Sequence, residues 1–88
     1  MRYIIVLYTD IFRQKDLEHI SNLSNSFPCI TDFSVDMNDC DKVLRVASMS
    51  DISHLLLDYL RLEDIKCKLM GVYQRMEEKV VVLFESTF

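Results

Sequence analysis

Thr31-Asp32-Phe33-Ser34-Val35-Asp36 and Lys42-Val43-Leu44-Arg45-Val46-Ala47-Ser48 are the two stretches whose reading decides the fold. In the first, Thr31, Phe33 and Val35 alternate with Asp32, Ser34 and Asp36, the period of two that gives a strand one dry side and one wet side. The second resumes β-branched alternation. Between them Met37-Asn38-Asp39-Cys40-Asp41 is rich in residues that favour turns. The pair predicts an antiparallel hairpin near the middle of the chain.

Working outward, each side of the hairpin carries a helical pattern. Before it, Leu17, Ile20, Leu23 and Phe27 recur at three- to four-residue spacing from about Gln14, and Pro28 closes the helix because the residue before a proline avoids helical geometry. After it, Ser50 and Asp51 supply an N-cap hydroxyl and a carboxylate for the positively polarised first turn. Ile52, Leu55, Leu56 and Tyr59 then form an amphipathic stripe. Arg2 to Tyr8 is too apolar to have a wet face and reads as a central strand. Ile65, Cys67 and Leu69 alternate with Lys66, Lys68 and Met70 as a fourth strand ending at Gly71, and Lys79 to Phe84 reads as a fifth. With right-handed crossovers this order predicts a ferredoxin-like βαββαβ sandwich: an antiparallel sheet with both helices on one face, plus an additional C-terminal strand. One domain spans 1–88, with its core over about 2–72 and the extra strand over about 79–85.

Composition bounds what such a domain can do. A chain of 88 residues has room for one core, and 50% apolar residues with one Gly and one Pro exclude low complexity. A formal charge of −4, with Lys and Arg scattered, opposes association with nucleic acid or an anionic membrane. The longest apolar runs, Tyr3 to Tyr8 and Val80 to Phe84, fall far short of a membrane span. Met1 and Arg2 lead straight into a strand without a secretory cleavage pattern, so a cytoplasmic location is expected. Cys29, Cys40 and Cys67 are odd in number and include no C-x-x-C pair, which argues for reduced thiols.

Phe27-Pro28-Cys29-Ile30 leading into Phe33-Ser34-Val35-Asp36, followed by Lys42-Val43-Leu44-Arg45-Val46, resembles the heavy-metal-associated domains of copper chaperones and metal-transporting ATPases. Those domains have a Leu-Pro-Gly-Val turn before an alternating strand ending in Val-Asp. The resemblance covers roughly Tyr3 to Val72 and implies a ferredoxin-like scaffold that docks to partner domains. The family's metal site is a Met-x-Cys-x-x-Cys loop after the first strand, where two thiolates pinch a soft ion. Here the corresponding positions fall near Arg13 and Asp16, and Tyr8 to Lys15 holds no sulfur. The metal chemistry is therefore not carried over, and no cofactor is expected.

Asp10, Asp36, Asp39, Cys40, Asp41, Glu63 and Asp64 are expected at one end of the sheet. Two readings stand: a cation site, with Cys40, Asp39 and Asp41 as its candidate ligands, or a solvated acidic rim. The second fits better, because no calcium-loop pattern with its distal Glu is present. Cys67 is expected in the core. His19 and His54 lie away from the apolar stripes of their helices and read as surface residues. Acylphosphatases share the expected fold, and Arg13 and Asn38 come nearest to their catalytic Arg and Asn, but a phosphate cradle needs glycines that this loop lacks. No enzyme is expected. An RNA-stacking sheet is opposed by the absence of aromatics from Lys42 to Ser48. ACT-like ligand sensing leaves little sequence signal and stays open. What remains is a protein-interaction module. Its candidate surfaces are Leu57, about 140° around its helix from Ile52, and Val80, Val82 and Phe84 on the last strand. That strand closes its own sheet or pairs with a second subunit as a homodimer.

Overall fold

The alternation read from the sequence becomes a sheet of five antiparallel strands in the computed structural model, which describes residues 2–11, 14–36 and 42–86. The elements are β1 (Arg2–Thr9), α1 (Gln14–Ser21), α2 (Leu23–Ser26), β2 (Ile30–Val35), β3 (Leu44–Ser48), α3 (Ser53–Leu62), β4 (Cys67–Met76) and β5 (Lys79–Glu85). The strands lie in the order β2-β3-β1-β4-β5. The 37–41 segment lies outside the described residues.

This arrangement corrects the expected ferredoxin-like βαββαβ sandwich. Its strand count and full strand order are those of a five-stranded sheet, and the first helix is divided at Asn22 into α1 and α2. The domain is a strand-rich α+β structure. The physical reason lies in β4. Gly71 was expected to end that strand, but β4 runs through it to Met76, and a tight turn at Glu77 and Glu78 returns the chain as β5 along the new edge from Met76 back to Gly71.

β1 is paired on both edges, by β3 and by β4, which accounts for its unbroken apolar run. Ile5 faces Val46 and Val72, and Leu7 faces Leu44 and Leu69. These rungs point toward the helices, where Ile20, Leu23, Leu56 and Leu60 complete one core cluster. A register shift against β1 leaves Met70 as an extra residue on β4. Leu69 and Val72 are three apart and would face opposite sides of a regular strand. The bulge lets both face the core.

Asp51 accepts a hydrogen bond from the Ser53 N–H at 3.1 Å in the turn that leads into α3, while the Ser50 N–H donates to Ser48 Oγ at 3.3 Å. The start expected at Ser50 thus lies later, with Ile52 at the N-cap position and no side-chain cap there. Ile52, Leu56 and Leu60 are buried, but Leu55 is 55% exposed, so the buried row follows i, i+4 spacing and Leu55 falls at its solvent rim. Leu56→Ala should cost about 2–5 kcal/mol in urea unfolding, whereas Leu55→Ala should stay within about 0.5 kcal/mol of the parent. Equal losses would show that α3 presents a different face to the sheet.

Candidate interaction surface

The helices cover the sheet only as far as β4. Phe33, Val46, Ile5, Val72 and Phe84 form one rung across all five strands on the core side. Val46, Ile5 and Val72 are buried, yet Phe84 at the end of the rung is 45% exposed. All seven residues of β5 are exposed, five of them apolar: Val80 to Phe84. β5 pairs with β4 of its own chain through one edge, and among the described residues no strand lies beyond its other edge. Val80 and Val82, both expected on an interaction surface, are on the face away from the helices, and Phe84 is on the core side.

Leu57 does not belong to this surface. It is half-buried and packs against the core cluster, because α3 lies close enough to the sheet to enclose more than its Ile52-Leu56-Leu60 row. Leu62, at 86% exposure, is the outlying apolar residue of α3, and its position at the helix end gave no periodic signal.

Two of the acidic residues expected at one end of the sheet, Asp10 and Glu63, have structural partners. Asp10 and Lys66 form a two-bond clamp where β1 ends and β4 begins: the Asp10 N–H donates to the Lys66 carbonyl at 3.1 Å, and the Lys66 N–H donates to the Asp10 carboxylate at 2.9 Å. Glu63 sits 3.2 Å from His19 Nε2. His19 is therefore not a plain surface residue but a link between α1 and the end of α3, where Tyr59 also donates its hydroxyl proton to the His19 carbonyl at 3.2 Å. His54 is exposed. Among the described residues no three metal-ligating side chains cluster. Cys40, Asp39 and Asp41, and the pair Arg13 and Asn38, lie outside them.

The side of the sheet away from the helices carries Ile4, Val6 and Tyr8 from β1 and Tyr73 from β4. Gly71, the only glycine, permits this surface: a Cβ there would lie 2.6 Å from the Tyr73 hydroxyl oxygen, so the ring lies over bare backbone. No described helix is long and apolar enough to cross a membrane.

Cys29 and Cys67 are both free thiols. Ser48 donates its hydroxyl proton to Cys29 Sγ at 3.3 Å, and this bond holds the Cys29 thiol below its ordinary pKa despite the opposing effect of burial. Cys67 is half-buried against the core as expected, and burial pushes its thiol up, outweighing the attraction of Arg61. At neutral pH Cys29 therefore has the larger thiolate fraction. Iodoacetamide should alkylate Cys29 before Cys67 in the folded protein, with the gap narrowing as pH rises and closing in denaturant, as read by peptide mass mapping. Faster labelling of Cys67 at neutral pH would contradict this ordering. Compared with known proteins, the chain matches no described family and no curated protein.

Proposed function

We propose that this chain is a non-enzymatic protein-interaction module that self-associates through the open edge of β5. One observation carries the reading: a seven-residue strand whose apolar centre, Val80 to Phe84, is 42% to 62% exposed along a free sheet edge. Such an edge presents unpaired backbone N–H and C=O groups and is a template for another strand. Nothing blunts the middle of the run with a charge or a proline.

Charge favours a second copy as the partner. β5 begins at Lys79 and ends at Glu85. Antiparallel pairing about its middle brings the cationic end of each strand to the anionic end of the other, whereas parallel pairing would set like charges together. The resemblance to heavy-metal-associated domains contributes a habit of docking between domains and no metal. Metal binding through Cys40, Asp39 and Asp41 falls on residues outside the described ones, and ACT-like ligand sensing is the other alternative. The free thiols Cys29 and Cys67 support a reducing compartment, the cytoplasm.

Sedimentation velocity across the micromolar range should give twice the chain mass. Val82→Lys should return the protein to single-chain mass with its unfolding free energy within about 0.5 kcal/mol of the parent, since Val82 is exposed. Lys79→Glu should weaken the dimer, and adding Glu85→Lys should restore it. A parent protein that stays at single-chain mass, or a dimer indifferent to Val82→Lys, refutes association through this edge.

A further inference from the structure

The face of the sheet away from the helices differs in charge from the rest of the chain. Arg2 on β1 and Arg75 on β4 are directly opposed in the ladder, a like-charge pair that costs stability unless an anion is shared between them. Arg45 on β3 faces Val6, placing a third guanidinium two rungs further along the same face. Among the described residues none of these three side chains has an ion-pair or hydrogen-bond partner. Among the described residues, the carboxylates that line a depression with them are Asp32, which accepts a hydrogen bond from the Phe33 N–H, and Glu77 at the strand end.

Between the arginines lies an apolar rung of Ala47, Ile4, Tyr73 and, past the β5 register shift, Val82. Ile4, Val6, Met70, Tyr73 and Val80, together with Arg45, line an open depression of about 380 Å³. A second depression, of about 370 Å³, is lined by Arg2, Met49, Arg75 and Glu77. The first is within the size range of small-molecule sites. Three guanidiniums around the apolar floor also oppose a face-to-face homodimer, which would set cation against cation.

We propose that this face binds a small planar aromatic anion. Its ring lies on Ile4 and Tyr73, and its carboxylate or equivalent acid is held in the fork between Arg2 and Arg75. Guanidinium and carboxylate match in planar, two-point geometry, which a pair of opposed arginines offers twice. The ring gains an apolar floor and a cationic rim for its π face. Gly71 takes part indirectly, since the missing Cβ is what allows the Tyr73 ring to lie across the sheet.

The test uses the intact chain with 2-naphthoate and its neutral analogue 2-naphthalenemethanol, followed by titration calorimetry and amide chemical-shift mapping. The inference expects 2-naphthoate to bind at least about tenfold tighter than the alcohol, with shifts centred on Ile4, Ala47, Tyr73 and Arg75. Arg75→Gln should lose at least about tenfold in naphthoate affinity while leaving binding of the alcohol unchanged, and Arg75→Lys should recover part of the loss, because the variant removes a charge-assisted bond that only the acid can make. Tyr73→Ala should weaken both ligands. Equal affinity for acid and alcohol would reduce the face to an apolar patch, and shifts centred on β5 would assign the ligand to the strand edge. A single-stranded oligothymidylate that outcompetes naphthoate at equal concentration would make the face a nucleic-acid surface. Any of these three results, or no binding in the millimolar range, overturns the inference.

Discussion

The pairing of β1 on both of its edges is the constraint from which the rest of the structure follows. A strand held by β3 and β4 has no backbone group left for solvent, so its residues must find partners above and below the sheet. Ile5 and Leu7 find theirs in the core cluster that holds Ile20, Leu23, Leu56 and Leu60, and both are completely buried. The neighbouring strands must then present apolar residues at matching rungs. β3 does so by simple alternation, with Leu44 and Val46. β4 does so only because Met70 is bulged out, which carries Leu69 and Val72 to the same side. Without that extra residue, Val72 would face away from the helices and Ile5 would lose one of its two flanking side chains.

The surfaces open to association are a consequence of the same arrangement. The helical layer is wide enough for four strands, and the chain supplies five. The fifth therefore continues rungs whose burial has already ended, as Phe84 does beside Val72. A sheet edge of this kind is either satisfied by a partner or prone to unwanted pairing. On the opposite side, Arg2, Arg45 and Arg75 stand around the apolar rung of Ala47, Ile4, Tyr73 and Val82, so the two open surfaces differ in chemistry. One is a backbone template flanked by Lys79 and Glu85, and the other is an apolar floor rimmed by guanidiniums.

The exposed apolar strand was legible in the sequence, since Val80 to Phe84 carries no polar alternation and follows a chain already long enough to fill its core. The cationic face was not. Arg2, Arg45 and Arg75 are scattered through the chain, and only the strand order brings them together on one side. The acidic residues illustrate the converse. Asp10 and Glu63 looked like members of one cluster because the loops bearing them share an end of the sheet, yet each is engaged separately, by the Lys66 amide and by His19. Leu57 was misplaced because an angle around a helix axis says nothing about how closely the helix approaches the sheet.

By itself the sequence determined the kinds and order of the elements apart from the break at Asn22 that divides the first helix, because local periodicity and turn chemistry depend on residues near one another in the chain. It placed the hairpin of β2 and β3, the amphipathic α3 and the apolar β1 without knowledge of their neighbours. Only the tertiary structure decided how far β4 extends through Gly71, where its parity changes at Met70, which strand lies at the edge, and how many strands the helices cover. These are properties of pairing between distant segments. A bulge alters the side on which every later residue lies without altering the residues themselves, so no pattern read along one strand can reveal it.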